Sequence, residues 1–470
     1  MQHVRATAAE IFVNATAPGA KAVAAPTMVV AGPDRLIILL GASVCVFVWA
    51  FQAIWGPLAV IRPNVLLLAL AIAVWVGDQN PLRRVANLSN PVYKFVLGIF
   101  LLAVVSVPFS VFRSLSLRFL LTEVVVLFTW LTMIALAVRT RRDISFILAM
   151  FLAGAVVYSF FSELRGTSSR LAGIGYYDAN DLALMLVCTL PVAVKFLRPP
   201  TALWGRIVAG VSLLYMVVAI MRTSSRGGFL GLVAVGGFIL IAYRGIPKMT
   251  RLGVVLAAVV TLSLAADQEY WDRINTILSP SEDYNFSGTS NAGRGKIWGR
   301  GMGYMVSSPF GVGVQAFSAA EGRSEASLAA QSTGSGFKWS APHNSFVQIA
   351  AELGVGGAFC ILGAFAAAFA GLRRVARRRK FMDPESHADS EMALTLTACL
   401  IGFFVSGFFV SFGYSTLLYF LLGITVGFLK VTGRRAPATA PPLRVTPVAH
   451  RRSMKPIGDL RDNRALPKMR

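Results

Sequence analysis

Long apolar segments constrain the fold of this chain more than any other feature of its sequence. About twelve of them occur, each with roughly the 20 mainly apolar residues that a helix needs to cross a hydrocarbon core. They lie at 35–55, 57–76, 92–110, 117–138, 144–162, 179–197, 205–221, 227–243, 251–266, 343–371, 392–411 and 413–430. Because 55% of the 470 residues are hydrophobic and only 14% are charged, the composition excludes an ordinary soluble domain. The sequence predicts an all-α polytopic membrane protein with about 12 transmembrane helices.

The positions of lysine and arginine predict which way the chain is oriented. The net charge of +23 is of a size found in nucleic-acid-binding proteins, but the cations cluster in the loops that follow even-numbered segments. These loops are 81–94, 139–143, 195–200, 243–251, 372–380 and the tail from 430. Under the positive-inside rule they face the cytoplasm, as do both termini. We therefore expect no nucleic-acid partner, and we expect the polar insertion before the tenth segment to face outward.

Five regions follow from this arrangement. They are a cytoplasmic tail (1–34), transmembrane spans one to nine (35–266), a large outward loop with a short amphipathic helix (267–342), spans ten to twelve (343–430) and a disordered basic cytoplasmic tail (431–470). The first 26 residues lack a compact apolar run before a cleavage site, so the first span is expected to act as an uncleaved insertion signal. The cysteines show no metal-ligand spacing, and no metal or cofactor is predicted.

Arginines on the outward side are the first candidates for a binding site. In MRTSSRGGFLG (221–231), Arg222 and Arg226 stand four residues apart in a short loop between two apolar segments. The planar guanidinium fork suits phosphate oxygens, and the neighbouring serines and glycine amides lie at a helix start that favours an anion. We interpret this loop as an anion site, although arginines also occur at span boundaries merely because their side chains reach the interface.

A second outward loop, RLAGIGYYDANDLA, precedes the sixth segment. Its Arg170 is a further candidate for anion binding. Asp178 and Asp181 are typical of a helix N-terminus, and capping and binding are equally good interpretations of them. Asn180 between them is a supporting candidate.

The outward insertion contains a predicted amphipathic helix around GRGKIWGRGMGYM. Its apolar residues are expected to lie on the membrane surface, while its basic residues reach toward the site. The apolar set is Ile297, Trp298, Met302 and Met305, and the basic set is Arg294, Lys296 and Arg300.

The segment SAPHNSFVQIAAELGVGG places His343 at the mouth of the tenth segment, where Asn344 or Ser345 is expected to begin the helix. The positive end of a helix disfavours imidazolium, so His343 is expected to be neutral and able to accept a proton; a merely capping histidine is the alternative. Glu352 lies nine residues on, half a turn out of phase and about 13 Å deeper, so the two cannot form a dyad on a straight helix. Glu352 and Glu123 are instead expected in intramembrane ion pairs or hydrogen-bond networks.

Together, RTSSRGGFLG, RLAGIGYYDANDLA, GRGKIW with MVSSPFGVGVQAF, and PHNSFVQIAAELGVGG resemble the O-antigen ligase and polymerase superfamily, from about the sixth to the twelfth span. The resemblance implies a C-type-glycosyltransferase-like architecture and a metal-independent enzyme without cofactors. It implies that His343 is the general base and that Arg222 and Arg226 hold the diphosphate of the donor. Further diphosphate contacts would come from Arg294 and Arg170, and the supporting residues would be Asn344, Asn180 and Glu352.

The same resemblance implies a location and partners. The chain would lie in the bacterial inner membrane with its active site facing the periplasm. It would take a glycan from undecaprenyl diphosphate and pass it to a hydroxyl of an acceptor glycan, of lipid A-core or of a protein. We favour polymerisation among these. Membrane lipids, a flippase and a chain-length regulator are the other partners expected.

A secondary transporter of a small anion or sugar is the alternative from another class, because twelve spans with basic cytoplasmic loops suit it equally well. A transporter predicts related halves and discontinuous helices with ionisable groups near the midplane. The two halves of this sequence show no convincing similarity, and the large polar insertion does not lie at the midpoint.

Overall fold

The structure is a computed structural model that describes residues 34–166, 170–175, 177–243, 249, 268–275, 293–324, 328, 340–378 and 383–433. Within these ranges the chain is helical and contains no strand. The expected N-terminal tail apart from Asp34, the ninth segment (251–266), most of the outward loop and the C-terminal tail beyond 433 lie outside the described residues.

The helices within the described ranges follow one another in chain order. They are α1 (Arg35–Phe47), α2 (Phe51–Ile54), α3 (Gly56–Ile61), α4 (Pro63–Val76), α5 (Pro91–Phe109), α6 (Arg113–Phe119), α7 (Val125–Ala137), α8 (Arg141–Arg165), α9 (Ala179–Phe196), α10 (Leu203–Arg222), α11 (Arg226–Ala242), α12 (Gln268–Asn275), α13 (Arg294–Ser307), α14 (Phe317–Gly322), α15 (Ser345–Arg377), α16 (Pro384–Ser406) and α17 (Thr416–Gly433). A π-helical turn, Leu120–Val124, joins α6 to α7, and a 3-10 turn, Gly407–Phe409, extends α16.

The helix lengths confirm a polytopic helical membrane protein. Eight helical stretches within the described ranges are long and apolar enough to cross a membrane, and α1, α4 and α11 are shorter apolar helices. Together these coincide with every predicted segment except 251–266, so the count of twelve stays a prediction. The first segment is shorter than predicted, because α1 ends at Phe47 and the backbone turns at Ala50, whose φ is +46°.

The loops with the basic clusters share one end of the bundle, where buried ion pairs join them. Arg83, only 4% exposed, pairs with Asp34 before α1 and with Asp78 after α4. Lys430 of α17 donates to the Ala135 and Leu136 carbonyls of α7, both at 2.8 Å. Burial acts to raise the pKa of Asp78, but hydrogen bonds from Arg83 and the Asn80 amide outweigh it and hold that pKa below its usual value.

Helix α15 is broken rather than continuous as predicted. Gly354 has φ +69° and ψ −166°, a conformation essentially restricted to glycine. The break frees the carbonyls of Ala351 and Glu352, which accept from the Val312 and Gly313 amides at 2.9 and 3.1 Å. The motifs ELGVGG and PFGVGV, some 40 residues apart in the sequence, therefore hydrogen-bond to each other.

Helix α13 packs on the first half of α15, which differs from the predicted position on the membrane surface. Ile297 is buried against Phe317, Val347 and Ala351, and a side chain at Gly301 would lie 2.6 Å from Val347 Cγ1. The predicted apolar face is thus divided: Ile297 belongs to the protein core, whereas Met302 is 45% exposed.

One basic residue of α13, Arg300, also differs in role from the prediction. Arg300 Nε donates to both carboxylate oxygens of Glu321, at 2.9 and 3.1 Å, and Tyr304 donates to the same carboxylate at 2.9 Å. Glu321 is only 1% exposed. Hydrogen bonding to Glu321 raises the pKa of Arg300. Arg300 therefore neutralises a buried carboxylate and links α13 to α14.

Candidate active site

The connection between α16 and α17 organises the end of the bundle opposite the buried ion pairs. We call residues 407–415 the bridging loop. On one side it contacts the start of α11: a side chain at Gly227 would lie 2.8 Å from Phe409 Cβ, and Ser406, just before the loop, donates to the Gly227 carbonyl at 3.1 Å. On the other side, Ser411 Oγ accepts a hydrogen bond from the His343 amide at 2.9 Å.

The bridging loop thereby places two predicted site elements next to each other. Consecutive Cα atoms are about 3.8 Å apart, so Phe409 and Ser411 are separated by no more than about 7 Å. Phe409 contacts the turn that carries Arg226, and Ser411 holds the turn that carries His343. The histidine and the arginine turn, more than 110 residues apart in the sequence, lie on neighbouring parts of one surface.

His343 lies directly before α15 and does not cap it. The cap is Asn344, whose side chain accepts from the Phe346 and Val347 amides at 3.0 and 3.1 Å and is 2% exposed. His343 adopts a left-handed backbone conformation, with φ +43°, and is half-buried. Because Asn344 performs the capping, the alternative of a merely capping histidine loses its support.

The backbone around His343 is fixed from two sides. Trp298 of α13 donates to the Pro342 carbonyl at 2.8 Å, and Ser411 accepts from the His343 amide. Arg294 lies one turn before Trp298, and residues four apart share a helix face. Helix α13 therefore carries Arg294 on the face that meets the His343 turn.

Arg170, Arg222 and Arg226 converge on the turn between α10 and α11. Arg222 ends α10 and Arg226 begins α11. Arg170 Nε donates to the Thr223 carbonyl at 2.9 Å, and the Leu171 amide donates to the Arg222 carbonyl at 2.8 Å. The loop before α9 is thus attached to this turn, and the structure brings together three of the four arginines that the sequence singled out.

The partner of Arg222 could not be identified from the sequence. Glu163, near the end of α8, forms an ion pair with it, while the Arg222 side chain remains 52% exposed. The two residues are 59 positions apart, and no local pattern relates them. The carboxylate orients Arg222 at the turn and offsets part of its charge.

The glycines of RGGFLG serve close packing. A side chain at Gly228 would lie 2.6 Å from Ala183 Cβ of α9, and one at Gly231 would lie 2.1 Å from Ser406 Oγ of α16. The Gly228 amide donates to Ser225 Oγ at 3.2 Å, as part of the helix cap. The glycines therefore hold the arginine turn against α9 and α16, and the Gly228 amide predicted to face an anion is used by the cap.

The start of α9 is a reciprocal helix cap. Asp178 Oδ1 accepts from the Asn180 and Asp181 amides at 2.6 and 2.9 Å, and Asp181 accepts from the Asp178 amide at 3.0 Å. The capping interpretation of both aspartates is confirmed. A supporting role for the Asn180 side chain stays a prediction.

Glu352 and Glu123 differ although the sequence suggested the same environment for both. Glu352 is 1% exposed and accepts from the Gln315 and Phe317 amides at 2.7 and 3.3 Å, which confirms a hydrogen-bond network. Glu123 forms no hydrogen bond or ion pair with any residue that the structure describes, so the expectation of a network was wrong for it.

A cavity of about 560 Å³ opens beside the His343 turn. Elements from several parts of the chain form its wall: α1, α2, α4, α6, the π-helical turn, α7, α14, α15, the bridging loop and the start of α17. The polar residues of the wall are Gln52, Asn64, Thr122, Glu123, Gln315, Ser318, Gln348, Glu352, Ser411, Tyr414, Ser415 and Thr416.

The sequence reasoning missed the bridging loop and the cavity. The stretch SFGYS (411–415) lies between two apolar segments, and its hydroxyl residues are the one local signal of a polar function there. Within the described ranges, no three His, Cys, Asp or Glu residues form a group suited to a metal ion.

Comparisons with known proteins match this part of the chain. Residues 211–362 fit the family model described as O-antigen ligase. The matched region runs from α10 into α15 and includes Arg222, Arg226, Arg294 and His343, while Arg170 lies outside it. No curated protein matches the chain. Over this region, about a third of its length, the chain is similar to the O-antigen ligase family, which supports the resemblance that its motifs show to the O-antigen ligase and polymerase superfamily.

Proposed function

We propose that this protein transfers a glycan from undecaprenyl diphosphate to an acceptor hydroxyl, and that it polymerises or ligates a surface polysaccharide. The family match over residues 211–362 and the apolar helices support a multi-pass membrane protein of the O-antigen ligase type. The observation that carries the finer proposal is the bridging loop, which contacts both the arginine turn and the His343 turn.

In the proposed reaction, the acceptor oxygen attacks the anomeric carbon as its proton passes to the His343 imidazole. The bond between that carbon and the diphosphate oxygen breaks, and the electron pair leaves with the diphosphate. Arg222, Arg226 and Arg170 neutralise the developing charge, with Arg294 as a further contact. Direct displacement inverts the anomeric configuration. Because the arginines neutralise the leaving group, the proposed reaction is independent of metal.

The proposed site faces the periplasm in the bacterial inner membrane. The loops with the basic clusters lie at the other end of the bundle, joined by the ion pairs of Arg83 and by Lys430. The positive-inside rule assigns that end to the cytoplasm. The arginines of the proposed site then lie on the translocated side, where a bound diphosphate gives them a function.

The broken helix α15 resembles the discontinuous helices of transporters, which use free carbonyls and intramembrane carboxylates to bind ions. Here the carbonyls of Ala351 and Glu352 accept from backbone amides, and so does the Glu352 carboxylate. The break therefore joins two parts of the protein, and its polar groups are already occupied. This favours the transferase over transport.

Complementation of cells that lack the protein tests the proposal. We expect wild type to restore the long polysaccharide, and His343→Ala or the pair Arg222→Ala with Arg226→Ala to lose it at equal membrane abundance. The matched controls are His387→Ala, in the first turn of α16 at the other end of the bundle, and Arg118→Ala, an exposed arginine of α6; both should behave as wild type.

The lipid-linked intermediates separate the subclasses. Single repeat units accumulating on the carrier indicate a polymerase, whereas long chains retained on the carrier indicate a ligase. If equally abundant His343→Ala and arginine variants support normal polysaccharide, the proposed site is wrong.

A further inference from the structure

The cavity beside the His343 turn differs in charge from the arginine turn. Among the described residues of its wall there is no lysine, arginine or histidine, while the carboxylate of Glu123 lines it. A diphosphate would meet repulsion here and attraction at Arg222 and Arg226, because like charges in a partly dehydrated cavity interact strongly. The cavity is therefore suited to a different part of the reaction from the donor diphosphate.

The wall of the cavity offers the groups that an uncharged sugar needs. Amide side chains from Gln52, Asn64 and Gln348 both donate and accept, and hydroxyl groups line the bridging loop. Aromatic rings of Phe119, Tyr177 and Phe412 add apolar surface against which the C–H faces of a sugar ring can pack. The volume of about 560 Å³ is in the range of small-molecule sites.

Glu123 is the residue of this wall that most needs a ligand. It lies in the π-helical turn Leu120–Val124, where the Val125 amide donates to the Leu120 carbonyl, and such turns occur often at functional sites. It belongs to an apolar stretch suited to crossing the membrane, in which an unpaired carboxylate is costly. Unlike Glu352, it receives no hydrogen bond from a described residue.

The wall also adjoins the proposed base. Ala341 and Pro342 line the cavity immediately before His343, and Ser411 both lines it and accepts from the His343 amide. A sugar in the cavity would therefore lie on one side of the histidine turn, with the arginine turn beyond the bridging loop. Transfer between two glycans requires this arrangement, with the base between the acceptor sugar and the diphosphate of the donor.

We propose that this cavity binds the terminal sugar of the acceptor and that Glu123 accepts hydrogen bonds from its hydroxyl groups. The wall, which holds this carboxylate and no cation among its described residues, selects an uncharged sugar over one that bears a carboxylate or phosphate. The inference rests on the proposed function and adds the class of acceptor. It favours the neutral end of a growing polysaccharide over a phosphorylated acceptor.

The test measures transfer by membranes that contain the full-length protein. The donor is the lipid-linked repeat unit extracted from cells that lack the protein. The acceptors are carboxyl-reduced fragments of the polysaccharide of these cells, and the same fragments after oxidation of their primary hydroxyls to carboxylates. The variants are wild type, His343→Ala, Glu123→Gln, and Leu121→Ala as a matched control, because Leu121 is 60% exposed two residues away and does not line the cavity.

We expect wild type to show a KM at least about tenfold higher for the oxidised fragments, since one unfavourable charge contact of 1.4 kcal/mol gives a factor of ten. In Glu123→Gln, the KM for the oxidised fragments should be less than threefold higher than the KM for the carboxyl-reduced fragments. The KM for the donor should change less than twofold. Leu121→Ala should keep the wild-type preference. A residue with a merely structural role would not alter the preference for acceptor charge alone.

The outcomes distinguish this inference from the proposed function. Transfer that requires His343 but uses both acceptors equally, or a preference unchanged in Glu123→Gln, overturns the acceptor site and leaves the transferase intact. A donor KM that rises together with the acceptor KM in Glu123→Gln overturns it as well. No transfer by wild type, or full transfer by His343→Ala, overturns the proposed function and this inference together.

Discussion

Replacing Gly354 by alanine should destabilise the protein severely, because three separate features of the structure require glycine there. Its φ of +69° and ψ of −166° cost a residue with a side chain about 1–3 kcal/mol. The new Cβ would lie 2.4 Å from the Pro309 carbonyl oxygen and 3.0 Å from the Gly311 amide nitrogen, both backbone atoms that cannot move aside locally.

Displacing the segment 309–313 would also weaken two backbone hydrogen bonds. The Val312 and Gly313 amides donate to the carbonyls freed by the break, and each such bond contributes about 1 kcal/mol. Gly354→Ala should therefore cost about 3–5 kcal/mol in all. It should also disturb the Gln315 amide that donates to Glu352, because Gln315 follows the same segment.

Gly356→Ala is the matched control two residues along α15. Its Cβ would approach only the end of the Leu102 side chain, at 3.1 Å, which can rotate away. Helix propensity favours alanine there by up to about 1 kcal/mol. We expect this variant to resemble wild type.

The assay is the apparent Tm of the purified protein in detergent, read from the fraction that stays monodisperse after heating. Gly354→Ala should lose several degrees or fail to accumulate in membranes, while Gly356→Ala should not. Equal Tm values for the two variants would refute the argument that the break in α15 requires glycine.

Three other predictions concern different parts of the chain. Ser411→Ala removes the hydrogen-bond acceptor of the His343 amide, so the rate of glycan transfer should fall severalfold at unchanged apparent Tm. A drop in Tm that accounts for the whole loss of activity would contradict a positioning role for Ser411. The pKa of Asp78 is held below its usual 3.8, so its contribution to stability is present above about pH 4 and is lost as the pH falls through the lowered value. The Tm difference between wild type and Asp78→Asn should therefore shrink on acidification from pH 7 to 3.5, and a constant difference would show that the ion pair contributes nothing. Arg300→Gln leaves the buried Glu321 carboxylate without its partner and should cost about 3 kcal/mol or more in the free energy of unfolding, and adding Glu321→Gln should restore much of it. A double variant less stable than Arg300→Gln would contradict this account.

Features that depend on neighbours in the sequence were predicted well. Apolar segments of about 20 residues gave the helices, because a helix satisfies its own backbone groups within a membrane. Asn344 before α15 and the pair Asp178 and Asp181 before α9 were recognised as helix starts, since a cap requires only residues two or three positions away.

Features that depend on distant partners were not predictable in the same way. Glu163 as the partner of Arg222, and the use of the Gly228 amide and neighbouring glycines in packing, follow from which helices are adjacent. The same applies to α13, whose Ile297 suggested a membrane-surface face and instead packs on α15. Hydrophobic periodicity indicates that a face is buried, and it does not indicate what covers that face.

The sequence by itself determined a polytopic helical protein, the local helix caps and the residue types suited to proton transfer and anion binding. Only the tertiary structure decided that the bridging loop holds the His343 turn beside the arginine turn and that Gly354 breaks α15. It also decided that Glu123 lines a cavity with no partner among the described residues, while Glu352 is buried and hydrogen-bonded. The physical reason is the range of the interactions: hydrogen bonds within a helix link residues four positions apart, whereas the contacts that assemble the site join residues tens to hundreds of positions apart and form only when the helices pack.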